Sequence, residues 1–120
     1  MEGLADKDNL ILLLDATDVT TTRKDFDLAQ SYKNFKKLYF VVEMDYGGSQ
    51  WIGFFCSEMY VATLQPKCSY YIYRQVISGS GDYEASCNFR IIENDPTKLS
   101  IAKKAVTYNG CRRINIFGIK

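Results

Sequence analysis

Along most of this chain, apolar residues fall at every second position and then stop at a turn. Leu38, Phe40, Val42, Met44 and Tyr46 form one such series, and Ala85, Cys87, Phe89 and Ile91 form another. Residues two apart share one face of a β-strand, whereas a helix needs its apolar stripe at three- and four-residue spacing. Only the stretch through Leu28, Tyr32, Phe35 and Leu38 offers helical spacing, and it reads better as a corner between strands.

Turn chemistry separates the alternating segments. "YGGSQ" (46–50), "SGSGD" (78–82), "ENDPT" (93–97) and "YNGC" (108–111) supply glycine, asparagine and proline where a tight reversal needs them. Segments of six to ten residues between such turns predict an all-β fold. The expected architecture is an antiparallel β-sandwich of seven to eight strands, largely a meander. Hairpins are expected at 47–49, 79–82, 94–97 and 109–110. At 120 residues the chain is a single domain by size, able to bury a core without metal or disulfide staples. The expected division is a polar lead-in over 1–9, which could equally be a junction to something longer, and one sandwich domain over 10–120.

The final segment, "CRRINIFGIK", is apolar nearly to its end. Ile114 and Ile116 should point to one side of a strand, and Phe117 and Ile119 to the other. A strand apolar on both faces is covered on both faces. One cover is the domain's own core and the other a second subunit, so Ile114, Ile116, Phe117 and Ile119 are candidate oligomer-interface residues. Across the Asn109–Gly110 turn, this strand is expected to pair with roughly Leu99 to Thr107.

Several chemistries are disfavoured by composition. The chain has no histidine, which removes Ser-His-Asp and Cys-His arrangements and histidine-bearing metal sites. The four cysteines, Cys56, Cys68, Cys87 and Cys111, form no C-x-x-C pair. Zinc is therefore not expected, nor any other metal or cofactor. The cysteines read as free, buried thiols, with disulfides left open by their even number. A net charge of +1 supplies no field for nucleic acid or anionic membrane. No apolar run approaches the ~18 residues of a membrane span, and no secretory signal is recognisable at the start. Asp25 with Asp27, or Glu43 with Asp45, could form a carboxylate pair, but each reads more simply as a solvated strand face. "DATD" (15–18) lacks the oxygen density of a calcium loop. Lys33, Lys36 and Lys37, interleaved with Tyr32, Phe35 and Tyr39, could stack single-stranded nucleic acid, but read better as residues that keep a strand entrance soluble.

The aromatic residues carry more. Tyr46 and Trp51 flank the Gly47–Gly48 turn. Tyr70, Tyr71 and Tyr73 precede the Ser78–Asp82 stretch, and Tyr83 follows it. Aromatic rings near loop tips suit sugar faces and protein contacts, although most such rings serve packing. The candidate ligand-binding residues are Tyr46 and Trp51 with Gln50, and Tyr83 with Asp82: rings to stack, and polar neighbours to hydrogen-bond.

"DLAQSYKNFKKLYFVVEMD" and the closing "INIFGIK" together resemble the C-terminal head domains of bacteriophage and prophage tail fibres. Those domains carry a leucine, serine, aromatic corner, here Leu28, Ser31, Tyr32, Phe35 and Leu38. They end on an isoleucine-rich strand closing in I-Y-G-I-K. Here it is Ile116, Phe117, Gly118, Ile119 and Lys120, with Phe117 in the usual place of tyrosine. The likeness spans Leu10 to Lys120. It implies a β-sandwich knob, usually trimeric, at the tip of a fibre that binds the bacterial surface. It also implies that the terminal strand lies in the middle of the knob. Phage particles assemble in the bacterial cytoplasm, in keeping with unpaired cysteines.

The expected function is thus host recognition by a receptor-binding head on the virion. The expected partners are a bacterial surface glycan or surface protein and two further copies of the chain. Neither catalysis, nucleic-acid binding nor membrane insertion is expected. A stand-alone carbohydrate-binding module, a single-stranded nucleic-acid-binding barrel and a small glycosidase are the rivals.

Overall fold

The computed structural model describes residues 9–44, 53–78, 81–103 and 111–120; for 75–78 and 81–85 it describes the backbone. Eight strands lie among these residues: β1 (Leu10–Ala16), β2 (Lys24–Asp27), β3 (Lys37–Met44), β4 (Gly53–Tyr60), β5 (Ser69–Ser78), β6 (Gly81–Ile91), β7 (Lys98–Lys103) and β8 (Cys111–Ile119). They form two antiparallel four-stranded sheets, ordered β1-β8-β3-β4 and β2-β7-β6-β5. The chain is an all-β sandwich, as the alternation predicts.

Strand phase explains the core. Leu38, Phe40, Val42 and Met44 of β3 are buried while the residues between them are half-exposed. Cys87, Phe89 and Ile91 of β6 meet them from the other sheet, with Phe40 stacked on Phe89 at 4.8 Å between centroids. In β1 the register slips between Leu12 and Leu14, and the extra residue, Leu13, is buried.

The meander is only partial. β5, β6 and β7 follow one another by hairpins, and β3 pairs with β4, but the other connections cross between sheets. The expected pairing of the last strand with residues 99–107 is corrected. β7 lies between β2 and β6 in one sheet, whereas β8 lies between β1 and β3 in the other. β8 uses both of its edges as well as both of its faces, and β7, already flanked, has no edge to offer. Hairpin tips at 47–49 and 109–110 fall outside the described residues.

The corner after β2 contains one 3-10 turn, Tyr32–Asn34, with Ser31 Oγ accepting from the Lys33 N–H at 3.1 Å. It is tied to both sheets: Leu28 N–H donates to Thr97 O at 2.8 Å and Ala29 N–H to Leu13 O at 2.9 Å. Leu28, Tyr32, Phe35 and Leu38 are all buried, so the spacing that looks helical belongs to a corner folded onto the core. The Phe35 ring lies flat on Gly118 of β8: a Cβ there would fall 2.5 Å from Phe35 Cγ and 2.6 Å from both Cδ atoms. Only a residue without a side chain lets the ring sit there.

All four cysteines are free, as expected, but they are not uniformly buried. Cys87 and Cys111 are buried, Cys68 is intermediate and Cys56 is exposed on β4. The Cys87 and Cys111 thiols are hydrogen-bonded to each other, and this contact, with burial, pushes the Cys87 thiol up from its ordinary range. Four reactive groups are expected when the protein is unfolded without reductant and titrated with a thiol reagent; two would reveal a Cys87–Cys111 disulfide.

Candidate functional site

β4 ends the first sheet and β5 ends the second. They are joined through a 3-10 turn at Val61–Thr63, so both edge strands run along the same open side of the sandwich. Among the described residues, each has one flank without a strand partner, and such a flank exposes backbone donors and acceptors. Between them lies a groove of about 370 Å³.

Side chains of both strand phases reach it. Phe55 and Ile72 are buried and form the floor, while Phe54, Cys56 and Ser57 of β4 and Tyr71, Tyr73 and Arg74 of β5 form the walls. Tyr71 is 71% exposed and Phe54 59%, unusual for rings of this size. Tyr70, one position out of phase, has a different task. It stacks on Phe89 at 5.3 Å, its hydroxyl accepts from the Gln65 N–H at 2.8 Å and donates to Thr63 O at 3.1 Å. It therefore fixes the connection that holds β4 and β5 side by side.

Rings, a hydroxyl, a guanidinium and strand edges together offer apolar faces bordered by hydrogen-bonding groups. Among the described residues that line it, none is a carboxylate. Elsewhere, charges are engaged with one another. Asp15 takes a two-pronged contact from Arg113 at 2.6 and 2.7 Å, which holds its carboxyl below the ordinary range, and Asp18 is bonded to Lys24. The "DATD" carboxylates thus face cations of the chain itself. Asp25 and Asp27 are exposed on the second sheet.

Of the residues expected to bind ligand, Tyr46, Gln50 and Trp51 lie outside the described residues. Asp82 and Tyr83 are corrected in position. They belong to β6, where their backbones pair with Ile77 and Val76, and not to a loop. The ladder runs on to a Ser78–Gly81 pair, so strand pairing extends further into the Ser-Gly stretch than its composition suggests. Ile114 and Ile116 are corrected as interface residues: both face the space between the sheets, at 1% and 0% exposure. Phe117 and Ile119 face outward and are half-buried.

No protein-family model, no curated protein and no solved structure matches this chain. The functional reading rests on its residues and their geometry. Sequence reasoning noticed Tyr71 and Tyr73 as a cluster but did not place them in a site. The signal was present: with Ile72 inside, the residues on either side must face out. Phe54 carried no such signal, because the pair Phe54–Phe55 fits either phase.

Proposed function

We propose that this chain is the receptor-binding head of a bacteriophage tail fibre, made in the bacterial cytoplasm and carried at the fibre tip. It holds a glycan or protein of the bacterial surface and does not catalyse. The observation that carries the reading is the contact between Phe35 and Gly118. The two stretches that resemble fibre heads, the aromatic corner and the isoleucine-rich ending, form one packed unit. Support also comes from the position of β8 inside its sheet, since the resemblance implies a terminal strand in the middle of the knob.

The groove between β4 and β5 suits such a role. Sugar rings have apolar faces that lie on aromatic rings and hydroxyls that need partners, here Arg74, Ser57 and the strand edges. Single sites of this kind are weak, at millimolar to micromolar affinity, and several copies on one fibre raise the apparent affinity by simultaneous engagement. The same groove would serve a stand-alone carbohydrate-binding module. Three copies in one particle favour the fibre head, and a single copy favours the module.

The test is binding of labelled protein to intact bacteria across a panel of strains. Tyr71→Ala and Arg74→Ala are each expected to weaken binding to a susceptible strain by about tenfold, or ~1.4 kcal/mol. Both residues are exposed, so the melting temperature should hardly move. Variants that bind like the parent would remove the groove from the reading. A parent that binds no strain, even when multimerised, would remove the adhesin reading itself.

A further inference from the structure

The outer face of the second sheet brings two arginines together. Strand register places Ser100 of β7, Arg90 of β6 and Ser69 of β5 in one row, and Ala102, Asn88 and Tyr71 in the next. Phe89, Ile101 and Ile72, out of phase with these rows, belong to the core, so both rows face outward. Arg23, just before β2, lies across them: its guanidinium donates to Ser100 O at 2.8 Å and to Asn88 Oδ1. Arg90 Nε donates to Ser69 Oγ at 3.0 Å. Ser100 and Ala102 are only 7% and 6% exposed despite their outward phase, because longer neighbours rise around this floor of small side chains.

Two features set the pair apart. First, neutral oxygens hold both guanidiniums. Among the described residues neither has a carboxylate partner, whereas Arg112 and Arg113 are paired with Glu43 and Asp15. Of the acids on the same face, Asp27 is taken by Lys98 at 3.6 Å, and Asp25, two strands from Arg90 in the Ser100 row, pairs with neither arginine. Partial burial, and then the like charge of Arg90, hold the Arg23 guanidinium below its ordinary range. Second, the groups left over are donors. Arg90 spends only Nε, which leaves its two terminal nitrogens, and arginine has no acceptor to offer. Beside them stands Tyr71, 71% exposed and within electrostatic reach of Arg23.

We propose that Arg23, Arg90 and Tyr71 form a subsite for an acidic sugar residue, in which the guanidiniums take the carboxylate or phosphate and the tyrosine ring takes the apolar face of the sugar. A guanidinium meets an oxyanion through two parallel hydrogen bonds, and an anion between two cations relieves their repulsion. The net charge of +1 gives a nucleic acid little else to hold, whereas a single charged sugar needs no more than this pair. Tyr71 also borders the groove between β4 and β5, so the subsite is continuous with it. That the sugar belongs to a bacterial surface rests on the receptor reading; the subsite itself does not.

Small acids added to the intact chain supply the test. In a titration followed by amide chemical shifts, sodium glucuronate or glucose 6-phosphate is expected to move the signals of Asn88, Arg90 and Ser100 saturably, with a dissociation constant of about a millimolar. Glucose and matched sodium chloride should not. Acetate carries the oxyanion without the ring and should bind several-fold more weakly than glucuronate, a difference that Tyr71→Ala should erase. Arg90→Gln is expected to raise the dissociation constant by about tenfold or more, and Arg90→Lys, a charge without the fork, to recover only part of that loss. Lys33→Gln removes an exposed charge from the corner after β2 and should leave binding unchanged. Arg23→Gln adds a second case where circular dichroism shows it folded; otherwise Arg90, which is exposed, decides alone. Shifts that fail to saturate, that follow sodium chloride, or that persist unchanged in Arg90→Gln overturn the subsite. So does glucuronate that binds no better than acetate. Saturable binding in a chain that attaches to no strain removes the receptor reading alone, and attachment to bacteria without saturable binding removes the subsite alone.

Discussion

Phe40→Ala is expected to bring the folded state close to its limit of stability. Phe40 is 1% exposed in the centre of β3, and its ring stacks on Phe89, which stacks in turn on Tyr70. The column starts in the first sheet, crosses the interior and ends at the edge of the second. Removing a buried phenylalanine side chain costs about 3–5 kcal/mol, from lost transfer energy and the cavity left behind. Against a total of roughly 5–15 kcal/mol for a domain, that is a large share. Urea unfolding followed by circular dichroism should show a much lower midpoint with little change in slope, since the surface exposed on unfolding is nearly the same. A loss below about 1 kcal/mol would mean that the site refills and that this column does not carry the contact between sheets.

The second large effect concerns Gly118. The Phe35 ring cannot swing away easily, because the backbone beside it is held. Lys36 N–H donates to Ile119 O at 2.8 Å, and Val61 N–H donates to Lys36 O at 2.9 Å. Gly118→Ala therefore forces two groups into one space and is expected to cost about 1–3 kcal/mol, with Gly118→Val costing more. Phe35→Ala alone is expected to cost about 3–5 kcal/mol, as for other buried rings. In the double variant the added methyl has room, so the two losses should fall short of their sum by about 1–3 kcal/mol. Strict additivity in a double-mutant cycle would show that ring and glycine do not share that space in solution.

What the sequence made legible was face, not neighbour. Alternation in β3 and β6 located the buried side chains correctly, and the outward phase of Phe117 and Ile119 follows from the inward phase of Ile114 and Ile116. The turn at Asn94 was legible for a chemical reason. Its φ of 63° is one that asparagine tolerates, and Asp95 accepts from the Thr97 N–H at 3.2 Å. Pairing was not legible. A periodicity of two states which residues share a side, but nothing about which strand lies next to it. β8 therefore looked like the partner of β7, its neighbour in sequence, when its partners are β1 and β3. The groove was hidden for the same reason. Its walls depend on β4 and β5 being edges, and an edge is a property of the sheet order.

The place of β8 between the earliest strand and β3 also shapes how the chain comes to be folded. Until residues 111–119 exist, β1 has no partner in its sheet and β3 has only β4. The first sheet cannot be assembled progressively as the chain grows, and its closure waits on contacts between residues as far apart as Leu10 and Ile119. Such long loops make folding slow compared with helical domains of the same size. Synthesis broken off before Cys111 would leave an open, apolar half-sheet, a form suited to proteolysis or aggregation. That arrangement acts as an inspection step: a chain either reaches β8 or never presents a finished surface.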